Sequence, residues 1–356
     1  MAKREEQDFT CLENTDKKIV LVLSILSLIL IITLFSFLFL YGLKENEKLN
    51  LCGDGTPYSS CSKDKPYYCE SGKLVEKSSL CGCPDFLISK QEKCVLQENS
   101  SAKENSFEYV LNGEVNSISI PVYEDIYSHV TEIDRFISYG ENETPLRRDF
   151  KIKKINNDLQ REFILPLVKE IQNSAPTKLT QARISISLVQ NIPWKVSEKD
   201  KLFSGSRAYY SRYPYEVIYE NEGVCGEKSE LLALILKELG YETAIFYFQQ
   251  ENHESLGIKC PLLESFKSTG YCFVETSGPS IISDSSISYA GGIVLDSNPE
   301  VIEISEGESL PFGIYEYFDK FKMAFTRTSL VPEKIRNYIF LKLQKKYGLT
   351  ESYYLS

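Results

Sequence analysis

The chain has 356 residues with 42% hydrophobic and 12% aromatic content, more than one ordinary domain needs for its core. Its formal net charge of -10, with no basic stripe and no phosphate-cradling glycine loop, excludes a general nucleic-acid binder. Ten cysteines, six of them crowded between positions 52 and 94, point to an oxidising compartment.

Residues 1–18 are polar, mixed in charge and without a folding pattern. Residues 19–41 (IVLVLSILSLILIITLFSFLFLY) contain no charged side chain and are long enough for a transmembrane helix; no cleavage-site pattern follows them. Lys3, Arg4, Lys17 and Lys18 precede this run, against Lys44 and Lys48 after it. That balance predicts a single-pass membrane protein, in contact with lipid through 19–41, with a cytoplasmic amino terminus and an extracytoplasmic carboxy-terminal part.

Residues 51–94 are dominated by turn formers and hold Cys52, Cys61, Cys69, Cys81, Cys83 and Cys94, a small module expected to be held by disulfides of undetermined pairing. The absence of CxxC pairs and of histidine argues against zinc here. A polar linker follows at 97–106. Alternation around Asn112-Gly113 predicts a hairpin of 107–111 with 117–122, the start of a small β/α segment at 107–150. His129 falls in a helix expected to run to position 137, where a lone histidine is read as structural.

Helical spacing recurs at 159–172, with a kink expected at Pro166, and at 179–190. Trp194 is the only tryptophan, and residues 207–219 (RAYYSRYPYEVIY) form a tyrosine-rich stretch that either walls a groove or packs on the next helix.

The most informative stretch is GVCGEKSE at 223–230, a cysteine between two glycines in front of the apolar run ELLALILKEL. That run predicts a buried central helix capped by Gly240, with Cys225 at its amino end. Helix dipole and unpaired N–H groups there favour a thiolate and can hold an oxyanion. His253 and His129 are the only histidines; His253 lies after a predicted strand at 244–248. A second strand, 271–276, brings the carboxylate of Glu275. Cys260 and Cys272 flank the intervening loop and are expected to pair, which with the six-cysteine cluster leaves Cys225 as the odd thiol after the apolar run. Short strands are predicted at 293–296 and 301–304, then a helical tail over 311–356 interrupted at Pro332.

The stretches GVCGEKSELLALILKELGYE, NHESLGIK and YCFVETSG resemble the transglutaminase-like superfamily of papain-type cysteine acyl transferases and peptidases. The resemblance implies an α+β domain over 155–310, its core a central Cys-bearing helix packed on an antiparallel sheet that carries His and Glu. Cys225 then matches the nucleophile, His253 the general base and Glu275 the orienting acid; the family more commonly uses Asp, so Asp284 and Asp296 are alternatives. Trp194 and Gly226 match lining positions, although a core role for the tryptophan fits its residue type better. The activity implied is a peptidase, amidase or transglutaminase acting on proteins or peptides, without cofactor or metal; no clustered acidic loop suggests calcium. The alternative is a non-catalytic membrane-anchored scaffold or binding protein that keeps this fold.

Overall fold

The computed structural model describes residues 50–84, 87–95, 102–141, 143–144, 146–203, 206–285, 294–310, 319–324 and 331–350, together with Leu30. Residues 51–356 belong to one compact unit. The tail over 1–18 and all of 19–41 except Leu30 lie outside the described residues.

Among the described residues no helix is long and apolar enough to cross a membrane. The longest of them, Asp158–Ser174, has 17 residues and carries Asp158, Arg161, Glu162, Lys169 and Glu170. At about 1.5 Å per residue it is shorter than a hydrocarbon core, and its charges need water or ion partners. The expected fold class and localisation are corrected accordingly: the described protein is an α+β fold with disulfides, and a single-pass membrane protein is not supported.

The first described segment pairs β1 (Tyr67–Glu70) with β2 (Lys73–Glu76), and β3 (Ile88–Lys90) with β4 (Lys93–Val95), both antiparallel. Its apolar core is small, consisting of Cys52, Tyr67, Cys69 and Leu74. Disulfides Cys52–Cys69, Cys61–Cys81 and Cys83–Cys94 supply cross-links that this little burial cannot replace.

A long hairpin follows, β5 (Ala102–Leu111) against β6 (Glu114–Tyr123), turning at Asn112 and Gly113 with φ of 54° and 87°. Two left-handed residues in succession are what a two-residue type I′ turn requires. The ladder begins at Ala102, inside the stretch expected to be a linker, because cross-strand pairing carries its polar residues on the exposed side. Helix α1 (Glu124–Glu132) comes next and stops earlier than expected, where Ile133 turns to an extended ψ of 130°. His129 on it is exposed.

Helices α2 (Arg147–Ile155), α3 (Asp158–Ser174), α4 (Lys178–Asn191), α5 (Pro214–Glu220) and α6 (Cys225–Glu238) build the helical layer. Asn157 and Thr177 cap α3 and α4 through their side chains, and α3 continues through Pro166. Between α4 and α5 lies the short pair β7 (Asp200–Phe203) and β8 (Ser206–Tyr209). Every residue of α6 from Glu227 to Leu236 is buried, and Gly240 follows the helix with a φ of 89°. Tyr213 and Tyr215 from the tyrosine-rich stretch are fully buried in the same core.

Four antiparallel strands in the order β11-β10-β9-β12 form the sheet: β9 (Thr243–Phe248), β10 (His253–Lys259), β11 (Tyr271–Val274) and β12 (Glu300–Ser305). Period-two alternation divides it cleanly. Ile245, Leu256, Ile258, Val274 and Ile302 join the core that holds α6, whereas Ala244, Phe246, Phe248, Tyr271 and Phe273 join a second core with Phe340 and Leu343 of α7 (Glu333–Tyr347). Val294, Leu295 and Asp296 are not in a strand; Leu295 packs into that second core instead. Pro332 stands directly before α7, and residues 311–318 and 325–330 lie outside the described ones.

Candidate active site

Helix α6 starts at Cys225 because the preceding loop is held at several points. Gly223 is buried, and a Cβ there would come to 3.3 Å from both Lys228 and Val217. Its backbone bridges the Trp194 segment: Gly223 N–H donates to the Pro193 carbonyl at 3.1 Å, and Lys195 N–H to the Gly223 carbonyl at 3.3 Å. The buried Glu227 carboxylate accepts from the Val224 N–H at 3.0 Å and from Arg212 through both its backbone N–H, at 2.8 Å, and its guanidinium, at 3.0 Å. Arg212, itself buried, also binds Glu220 and Glu222 at 2.5 and 2.6 Å. This network fixes the turn that presents Cys225, whose first-turn N–H groups have no intrahelical acceptors.

His253 opens β10, and Glu275 follows β11 directly. His253 Nε2 lies 3.0 Å from Glu275 Oε2, and the other carboxylate oxygen accepts the Ser277 N–H at 2.7 Å. Cys225 neighbours the same imidazole closely enough to favour its charged form. Burial by itself pushes His253 down, but the Glu275 carboxylate and the contact with Cys225 outweigh it and hold the ring up at about 10. Glu275 is fully buried; burial favours its neutral form, yet His253 and the bonds to Ser277 bring it below the ordinary carboxylate range. Thr276 ties the two elements together, donating to the Cys225 carbonyl at 3.1 Å and sharing a 2.8 Å bond with Ser229.

Cys225 is the one free cysteine among the described residues and is partly exposed. Cys260 and Cys272 are bonded to each other at the base of the loop joining β10 to β11. The structure therefore brings Cys225, His253 and Glu275 to one point. It places the other residues differently. Asp296 is exposed and engaged through its backbone with Glu251 and Lys267. Asp284 is buried, and Glu275 supplies a carboxylate hydrogen-bonded to His253. Trp194 is 53% exposed beside the Cys225 loop, so it is not a core tryptophan. Gly226 lies against Glu254, whose carboxylate would collide with any Cβ at that position.

Lys228 is the functional-site residue the sequence reading passed over. It is fully buried and its ammonium donates to the carbonyls of Ile192, Gln190 and Ser277 at 2.6, 3.3 and 3.3 Å. Burial pulls it down to about 7 against the opposing pull of Glu275 and Cys225. By reaching Ser277 from the first turn of α6 it links the loop behind Glu275 to the helix that carries Cys225. A lysine in the first turn of an otherwise buried helix, where the dipole disfavours a cation, was the available signal.

The chain matches no family model and no curated protein. A solved structure, Legionella pneumophila LapG, aligns with 55% of this chain and 99% of its own length, at 11% identity and a TM-score of 0.25. A likeness at that level carries no argument about fold or chemistry. The chemistry of the site rests on its own geometry.

Proposed function

We infer that Cys225, His253 and Glu275 are the working residues of a cysteine enzyme acting on amide bonds of proteins or peptides. The observation that carries this reading is the buried Glu275 carboxylate 3.0 Å from Nε2 of an imidazole that also neighbours Cys225. In this reading the proton of the thiol already resides on His253, and the Cys225 sulfur attacks the amide carbonyl. The tetrahedral oxyanion is held by N–H groups of the first turn of α6, and His253 then protonates the departing amine as the acyl thioester forms. Water completes a peptidase or amidase cycle by attacking the thioester carbonyl and releasing the acid and the thiol; an amine completes a transamidation. In this reading Glu275 keeps the imidazole oriented throughout. The four disulfides favour an oxidising compartment, and Cys225 is the one cysteine left unpaired among the described residues.

The test is alkylation of the non-reduced protein by iodoacetamide across a pH series, with mass spectrometry locating the label. Cys225 should react well below pH 8, and His253→Ala should slow that reaction by about tenfold or more near neutrality. Labelling at the rate and pH of an ordinary thiol, unaffected by His253→Ala, excludes the reading.

A further inference from the structure

A cavity of about 510 Å³ has a lining that includes Arg135, Arg147, Lys151 and Lys154, with Glu230 as its acid. Three of these cations are spent. Lys151 binds Glu230 at 2.7 Å and Glu254 at 2.5 Å, Lys154 binds Glu230 and the Ser211 hydroxyl, and Arg135 binds Glu216 at 2.5 Å.

Arg147 differs. Its nearest carboxylate oxygens, on Glu254 and Glu300, are 3.7 and 3.8 Å away, beyond hydrogen-bond reach, and its side chain makes no hydrogen bond among the described residues. The guanidinium is nonetheless held in place, stacked 3.5 Å from the centre of the Tyr247 ring, and the side chain is 40% exposed. It is the first residue of α2, where the helix dipole opposes a cation, so helix stability does not explain it. Its two ion pairs, with Glu254 and Glu300, are longer than hydrogen bonds, so a stacked guanidinium here can still take a carboxylate at two points.

Glu254 links the cavity to the chain neighbours of the reacting pair. Glu254 follows His253 along β10, and Gly226 follows Cys225 in α6. Gly226 packs on Oε2 of Glu254, the oxygen that Lys151 also binds, and Arg147 lies 3.7 Å from the other oxygen.

We propose that this cavity, with Arg147 at its mouth, is a subsite that seats a carboxylate of the peptide substrate beside the amide presented to Cys225. The subsite rests on the reading of Cys225 as the nucleophile for its role, but its binding is measurable without that chemistry. The ligand chemistry is a carboxylate, from either an acidic side chain or a free peptide terminus.

The experiment uses the full chain carrying Cys225→Ala, titrated by NMR or calorimetry with three blocked probes: acetyl-Ala-Glu-Ala amide, acetyl-Ala-Gln-Ala amide, and acetyl-Ala-Gln-Ala ending in a free carboxylate. At least one acid should bind about tenfold tighter than the neutral peptide, as a charge-assisted pair predicts. That preference should vanish in Arg147→Met and persist in Arg148→Met, whose wild-type side chain instead donates to the Glu303 carbonyl at 3.4 Å. Preference for the glutamate peptide identifies a side-chain carboxylate, and preference for the free acid identifies a terminal one. Equal binding of all three, or a preference that survives Arg147→Met, overturns the proposal. Failure of the Cys225 reading shows separately, in the alkylation series.

Discussion

His253 is held by two opposing forces, and their balance makes a prediction about stability. Its folded pKa, about 10, lies above the ordinary 6.5, so the stabilisation it brings is fully present below pH 6.5 and is lost as pH rises through 10. Glu275 acts with the opposite sign: lowered from 4.5, it stabilises above that value and loses the effect as pH falls through its folded pKa. Lys228, lowered from 10.5 to about 7, carries a burial penalty that is full below 7 and is relieved between 7 and 10.5. The Lys228 effect does not involve His253 and appears in both members of a comparison of wild type with His253→Gln. The Glu275 effect depends on His253 but is lost only as pH falls below 4.5, and so lies outside the pH 6–10 range compared. The wild-type advantage in Tm should therefore be largest near pH 6 and shrink toward pH 10. A difference that stays constant over that range would show that His253 is not held protonated by Glu275. Replacing Lys228 by Met should also lower alkylation of Cys225, because the Ser277 loop behind Glu275 then loses its tie to α6; the iodoacetamide rate near pH 7 reads this directly.

Among the elements, α6 and β10 are held in register by a contact with no spare volume. Gly226 sits against the Glu254 carboxylate, and that carboxylate binds Lys151, which also binds Glu230 in the middle of α6. Gly226→Ala must push Glu254 away from Lys151 and lift the start of the helix from the strand. The expected cost is about 1–3 kcal/mol, measured by urea unfolding, with slower alkylation of Cys225. An unchanged unfolding midpoint would mean that Glu254 swings aside freely. Sequence patterns described these elements well where the pattern is local: the apolar run marked α6, the strand-like run at 244–248 marked β9, and Asn112-Gly113 marked the hairpin turn. They failed where an end is set by pairing or by packing elsewhere. The extension of β5 back to Ala102 comes from its ladder with β6, and Leu295 leaves the strand pattern to enter the second core.

For the molecule as a whole, the cysteine-rich segment is joined to the helical layer through charge as well as packing. Lys169 of α3 is nearly inaccessible and binds Asp64 at 2.6 Å, Arg161 binds the same carboxylate at 3.1 Å, and Asn173 of α3 exchanges hydrogen bonds with the Leu74 backbone at 2.8 and 3.0 Å. Lys169→Met leaves Asp64 buried with Arg161 as its remaining charge partner. It should cost about 3 kcal/mol, toward the low end for a broken buried pair. Hydrogen exchange should rise first in residues 51–94 while β9 and β10 stay protected. Uniform loss of protection would mean that the segment and the sheet unfold as one.

The sequence by itself determined which residues could carry chemistry: a cysteine at the start of an apolar helix, one histidine on a strand after it, and an odd thiol among paired ones. Those signals are local in the chain, and each follows from helix, strand or disulfide chemistry. It also suggested a membrane-spanning helix, which no described helix supports. Only the tertiary structure decided which carboxylate meets His253, how the six clustered cysteines pair, and that Lys228, Arg212 and Glu254 brace the site. These are contacts between residues tens of positions apart, made by burial and charge pairing in three dimensions, and no periodicity along the chain encodes them.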